Sequence, residues 1–235
     1  MSAAFSSVHA ATVKAVIDGD TVILNDGRHI RLIGIDTPEL GRKGKPSQPF
    51  AKQAKQYLLQ RIKSSRFKVT LEQDSLAKDR YGRTLAHLFL PSGENLSTSM
   101  LSSGFATLLL FPPNTRHAQE YSLAQSLARE AGKKRWLGLE KTRKPAKNLS
   151  KQDTGFGLFT GKVTSIRHGR NTTWLILNNH LTLKILSSEA PEFGTSHLKA
   201  LRHQEIEVAG KLYFYKGQPR IRLRHPYQLE IIDKQ

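Results

Sequence analysis

The chain has 235 residues, no cysteine, and 37 Lys and Arg against 19 Asp and Glu, for a formal net charge of +18. Without cysteine there can be no disulfides, thiolate metal sites or cysteine nucleophiles, and no apolar run, Leu108 to Phe111 included, approaches the ~20 residues that span a bilayer. So strong a positive charge points to a polyanionic partner, nucleic acid or an anionic surface, and the length accommodates two small domains.

Residues 1–11 read as a disordered N-terminus or the remnant of a signal peptide, since Val8-His9-Ala10 has the small-x-small spacing of a cleavage site. The second alternative places the protein outside the cell or in the periplasm, and the first leaves it in the cytoplasm. Strand patterns follow at Thr12 to Val16, Thr21 to Leu24 and His29 to Ile35, with Asp26-Gly27 as a hairpin turn. Phe50, Ala54, Tyr57, Leu58 and Ile62 recur at helical spacing across Pro49 to Ile62. Further strands are expected at Phe67 to Glu72 and Thr84 to Leu90. Short helices are expected at Glu94 to Ser102 and at His117 to Ala131, the latter burying Ala118, Tyr121, Leu123, Leu127 and Ala131.

Residues 141–155 are polar and basic, as a linker is. From 156 to 235 the chain is strand-rich, with one helix-compatible piece at Ser196 to Arg202 and an Asn178-Asn179-His180 hairpin turn. The expected architecture is mainly β with α: a five-stranded barrel of the oligonucleotide-binding type with three helices over 12–140, then a second small barrel over 156–235.

Three segments carry the chemistry: Asp18-Gly19-Asp20-Thr21, Arg31-Leu32-Ile33-Gly34-Ile35-Asp36-Thr37-Pro38-Glu39, and Asp79-Arg80-Tyr81-Gly82-Arg83. Carboxylates supply hard oxygens for a divalent cation, a further carboxylate can orient or deprotonate water, and guanidinium forks match phosphate oxygens. Asp20 and Asp36 are the candidate metal ligands, Glu39 the candidate base, and Arg31 and Arg83 the candidate phosphate clamp. Singly, Asp18-Gly19 is an ordinary turn signal and Tyr81-Gly82 an ordinary hairpin tip; their joint occurrence is what points to phosphodiester hydrolysis.

These segments, in this order, resemble the staphylococcal nuclease-like (thermonuclease) family, and the similarity runs from about Val13 to about Leu139. The resemblance implies a nuclease acting on DNA and RNA without regard to the sugar and leaving 3′-phosphate ends. It implies Ca²⁺, with Mg²⁺ or Mn²⁺ as alternatives, held by Asp20, Asp36 and the carbonyl of Thr37. It also implies Glu39 as general base and Arg31 and Arg83 on the scissile phosphate. The alternative is a catalytically weak or inactive nucleic-acid binder that uses the fold as a scaffold.

The family's late tyrosine pair is missing here, and Phe111 in Leu110-Phe111-Pro112-Pro113 is the one ring available at that place. Arg80, Tyr81 and Phe111 are the candidate nucleic-acid contacts of the first domain. In the second they are Tyr213, Tyr215, Arg220, Arg222 and Arg224, the arginines at a spacing of two and so on one face of a strand. No sequence feature identifies a protein partner.

Overall fold

Val22, Leu24, Ile30, Leu32, Leu71, Ala86 and Leu88 recur at every second position of their strands, and each is almost fully excluded from solvent. That period of two closes a sheet around its own apolar face. The computed structural model describes residues 8–41 and 44–232, which fall into two compact units, Met1–Leu137 and Gly138–Gln235.

The first unit runs β1 (Val8–Val16), β2 (Thr21–Leu24), β3 (His29–Leu32), β4 (Gly34–Asp36), α1 (Ala51–Ser64), β5 (Lys68–Glu72), β6 (Thr84–Phe89), α2 (Leu96–Ser102), β7 (Thr107–Leu109), α3 (Ala118–Glu130) and α4 (Arg135–Lys141), within which the division between units falls. Its barrel has the order β1-β2-β3-β6-β5, with β3 parallel to β6 and β5 returning antiparallel to β1. Ala51, Ala54, Leu58 and Ile62 form the buried face of α1, and the Asn95 side chain caps α2 by accepting from the Ser97 amide.

The second unit runs β8 (Lys144–Pro145), β9 (Gly155–His168), β10 (Thr172–Leu177), β11 (Leu181–Leu186), α5 (Ala190–Phe193), α6 (Thr195–Ala200), β12 (Glu205–Tyr215), β13 (Gln218–Leu223) and β14 (Leu229–Ile231). The ring β9-β10-β11-β13-β12 closes through β12–β9 pairing. It repeats the strand order of the first barrel, with helix between the third and fourth ring strands in both. Asn178 and Asn179 take positive φ of 51° and 56° in the β10–β11 turn, the left-handed pair that a tight hairpin requires. The core gathers Leu175, Leu177, Leu183, Ile185, Val208, Leu212 and Ile221.

Four details depart from the sequence reading. β1 begins at Val8, pairing there with Glu72, so Val8-His9-Ala10 belongs to a strand of the barrel wall, while residues 1–7 of the expected disordered or signal segment lie outside the described residues. The strand expected over His29 to Ile35 divides at Gly34, whose φ of +88° turns the chain, and β4 pairs with β7 instead of continuing in the barrel. Helix α3 buries Ala118, Tyr121, Ala124 and Ala128 and leaves Leu123 and Leu127 61% and 55% exposed. Within 141–155, residues 144–153 carry β8 and two short 3₁₀ turns, and Ala146 and Leu149 are buried in the second core.

Candidate active site

The Asp18-Gly19-Asp20 turn joins β1 to β2, and Asp18 holds it by accepting the Asp20 amide at 3.1 Å. Gly19 packs against Thr37 and Ala54 of α1 so closely that a Cβ would come within 2.9 Å of both. This approach carries the first motif onto the second. Asp20, 6% exposed, accepts at Oδ2 from the Thr37 amide and hydroxyl at 3.0 and 2.8 Å. Its Oδ1 takes the Thr21 hydroxyl at 3.0 Å and an Arg31 Nη1 contact at 2.9 Å.

Arg31, on the outward face of β3, spans the two motif carboxylates. Its Nη2 donates to the Ile35 carbonyl at 2.9 Å and lies 3.4 Å from Asp36 Oδ1. Asp36 ends β4, which the turn at Gly34 directs away from the barrel wall. Its carbonyl accepts from Thr107 Oγ1 and from Arg135 Nη1, each at 3.4 Å.

The carboxylates crowd one another. Burial, reinforced by the charge of Asp20, pushes the Asp18 pKa up to about 6. Asp36 is also pushed up, chiefly by desolvation and further by Asp20 and Glu39, against the opposing Arg31 and Arg135; its side chain is still 37% exposed, which moderates that rise through solvent screening. Burial lowers the Arg135 pKa to about 10, with Asp36 opposing. Concentrated, desolvated negative charge built from hard oxygens is the environment that a divalent cation relieves.

Among the described residues no set of three or more His, Asp or Glu side chains is arranged to hold a metal ion. Asp20 and Asp36 place two carboxylates in this cluster, joined through Arg31, and carboxylate oxygen is the donor type that a hard cation takes.

Glu39 stands exposed on the following loop, whose Glu39 and Gln48 ends are bound reciprocally: the Glu39 amide donates to Gln48 Oε1 at 3.0 Å and the Gln48 amide to the Glu39 carbonyl at 2.9 Å. Arg83 precedes β6. Arg31 of β3 pairs with Leu85 of β6, which puts Arg83, immediately before β6, at the neighbouring strand's start. Asp79 orders this hairpin by accepting from the Tyr81 and Arg83 amides at 2.9 and 3.0 Å, and its Oδ2 accepts Arg83 Nε at 2.7 Å.

The structure therefore brings Asp20, Thr37, Arg31 and Asp36 into one cluster, with Glu39 on the adjoining loop and Arg83 just before β6, the strand next to β3. Arg80 stacks 4.7 Å over the Tyr81 ring, which is 69% exposed, and Phe111 is 48% exposed. Asn114 pins the Phe111 loop, exchanging hydrogen bonds with the Leu76 amide and carbonyl at 2.7 and 2.9 Å. In the second unit Tyr215 is half exposed under the Arg220 guanidinium at 4.5 Å, Tyr213 lies opposite Arg220, and Arg222 and Arg224 both pair with Glu189. Asp18 and Arg135 join the cluster unforeseen as site residues.

The family model for staphylococcal nuclease homologues matches residues 29–137, ending where the first unit ends. Thermonuclease of Staphylococcus hyicus is 36% identical over 140 residues, covering 57% of this chain and 81% of that one. Thermonuclease of Staphylococcus intermedius is 39% identical over 125 residues, covering 52% and 71%. "Probable endonuclease LCL3" of Schizophyllum commune is 33% identical over 128 residues, covering 51% and 38%. With a five-stranded barrel that assembles carboxylates and arginine at one corner, the chain belongs to the staphylococcal nuclease family.

Proposed function

We propose that the protein is a metal-dependent nuclease that hydrolyses phosphodiester bonds of DNA and RNA without regard to the sugar, leaving 3′-phosphate ends. The observation that carries this reading is the cluster in which Arg31 spans Asp20 and Asp36 while Asp20 latches Thr37. A pure scaffold has no physical need to desolvate Asp18 and Asp36 beside Asp20, burial being the main cause that raises the pKa of each.

Asp20, Asp36 and the Thr37 carbonyl would hold Ca²⁺, with Mg²⁺ or Mn²⁺ as alternatives; once bound, the ion supplies Lewis-acid stabilisation of phosphate charge. Arg31 and Arg83 meet the equatorial phosphate oxygens, where negative charge grows as water attacks. Glu39, exposed and adjacent to Asp36, orients that water and takes its proton. The water oxygen bonds to phosphorus as the bond from phosphorus to the 5′-oxygen breaks, and the 5′-oxygen leaves with that electron pair and takes a proton from solvent.

Tyr81 with Arg80 and the exposed Phe111 ring serve as base and backbone contacts near the reacting phosphate. No helix among the described residues is long and apolar enough to cross a membrane. The deciding experiment incubates purified protein with single- and double-stranded DNA and RNA in Ca²⁺, Mg²⁺, Mn²⁺ or chelator, and identifies the ends formed. Cleavage that persists unchanged in chelator, or no cleavage under any condition, would overturn the assignment.

A further inference from the structure

The second barrel presents an outward face across four strands, and its register places cations on both sides of an aromatic ring. Arg167 of β9 lies opposite Trp174 of β10, Trp174 opposite Lys184 of β11, and Lys184 beside Arg222 of β13. Leu175 and Leu177 point into the core with no exposure, so Trp174, alternating with them, lies on the outer face, where it is half-buried. Its indole passes over Gly169, where a Cβ would come within 2.7 Å of the ring, which seats it at the β9–β10 turn. Arg167 and Lys184 flank it about 10 Å apart across two strand spacings.

A second row lies two residues along the same face, where Ile176 pairs with Thr182, Thr182 with Arg220, and Arg220 with Tyr213. Arg222 and Arg224 take a different role from that suggested by their spacing. Both are bound to Glu189, which is 3% exposed, so the two guanidiniums share one carboxylate and are already engaged.

Charge complementarity selects the occupant. Residues 138–235 hold 17 Lys and Arg against 8 Asp and Glu, a net +9. Two of those acids, Glu189 and Glu207, are buried against Arg222, Arg224 and Arg143, so their charge acts on those arginines and not on Arg167, Lys184 or Arg220. A duplex would offer phosphates to this face but no base face to Trp174, whereas a single strand offers both.

We propose that this face binds single-stranded nucleic acid, with Trp174 stacking on a base and Arg167, Lys184 and Arg220 meeting the phosphates. The face serves the polymer that the nuclease reading makes the substrate, but its binding is measurable with cleavage switched off.

The test uses the full chain in EDTA, titrated with a single-stranded oligo(dT) long enough to cross the face and with a duplex of equal length. The chain has two tryptophans and Trp136 is fully buried, so quenching of tryptophan emission reports on Trp174. We expect the single strand to quench more than the duplex, and Trp174→Phe to remove the quench. Trp174→Ala should weaken oligo(dT) binding by about 5- to 150-fold, as expected for loss of one stacked base. The pair Arg167→Ser and Lys184→Ser should reduce the slope of log affinity against log salt by about 1.4, at ~0.7 per phosphate contact. Cleavage of a short substrate in Ca²⁺, run alongside, should be unchanged in all these variants.

Absence of quenching at saturation, or unchanged affinity and salt slope across the variants, would overturn the proposal. Anionic phospholipid vesicles binding this face in preference to oligo(dT) would overturn it as well. Failure of the nuclease reading would show separately, as loss of cleavage with oligo(dT) binding intact.

Discussion

Thr37 donates both its amide and its hydroxyl to one oxygen of Asp20, at 3.0 and 2.8 Å, across 17 residues of sequence. The side chain read as a metal ligand is thus also the latch between the first two motifs. Asp20→Ala should therefore abolish cleavage and also destabilise the first unit by about 2–4 kcal/mol, because two buried donors lose their acceptor. Asp36 is more exposed and its Arg31 contact is long, so Asp36→Ala should abolish cleavage at a stability cost under about 1 kcal/mol. Thermal melts beside cleavage assays distinguish the two; equal destabilisation would remove the latch.

Glu39→Gln keeps the length and hydrogen-bonding capacity of the side chain while removing a proton acceptor. Turnover should fall by ~10²–10⁴-fold with substrate affinity little altered. A fall below about tenfold would assign proton transfer elsewhere. Single-turnover cleavage and binding in chelator separate these effects.

Arg31→Lys and Arg83→Lys should each cost ~2.7–4 kcal/mol of transition-state stabilisation, since a point charge does not reproduce a fork. Arg31→Lys should additionally lower thermal stability, because the guanidinium bridges Asp20, Asp36 and the Ile35 carbonyl. The Arg83 side chain is tethered through Nε to Asp79, so its replacement should act mainly on kcat. Near-normal kcat in both lysine variants would mean that the fork is not used at the transition state.

The contiguous motifs made Asp20, Arg31, Asp36 and Thr37 legible as a group, because each motif sits on one turn or strand end and needs only a barrel to meet its neighbours. Arg135 was invisible: it reaches the Asp36 carbonyl from 99 residues away, and nothing in Lys133-Lys134-Arg135 separates it from solvated lysines. Likewise the period-two ladder of Arg220, Arg222 and Arg224 was plain, but Glu189, which binds Arg222 and Arg224, lies on a different element. Helix α3 shows the limit of periodicity. Alanines 124 and 128 face the core and leucines 123 and 127 do not, so residue size alone chose the wrong stripe. Both barrels were legible because strand alternation and turn residues agreed with one another.

His225 should make the second unit acid-sensitive. It is 8% exposed, its Nδ1 accepts from the Tyr227 amide at 3.3 Å, and its Nε2 lies 3.6 Å from Glu192. Burial pushes its pKa from 6.5 down to about 4. Between those values the unfolded chain binds the proton and the folded one does not, so stability is full above pH 6.5 and falls as pH drops toward 4. The loss should be about 1–3 kcal/mol. Urea unfolding followed by Trp174 emission across this range should show it, and His225→Asn should flatten the profile while keeping an acceptor for the Tyr227 amide. A profile unchanged by that substitution would assign the acid sensitivity to other groups.

We expect separation of the two barrels to divide cutting from holding. Trp136 is fully buried and the unit boundary falls within α4, so a chain shortened to preserve the first barrel must keep that helix and end after Lys141. Residues from 144 onward begin the second sheet and contribute Ala146 and Leu149 to its core. The shortened chain should cut short substrates at a turnover similar to that of the full chain. On long single strands it should lose affinity, because a second site on the same chain raises the local substrate concentration at the first. Its salt dependence should also be shallower, by ~0.7 in slope for each phosphate contact removed. Fluorescence anisotropy with long and short oligonucleotides in chelator, over a range of salt, measures both quantities. Equal affinity and equal slope for the two chains would leave the second barrel without a part in holding nucleic acid, and the Trp174 face would then need another occupant.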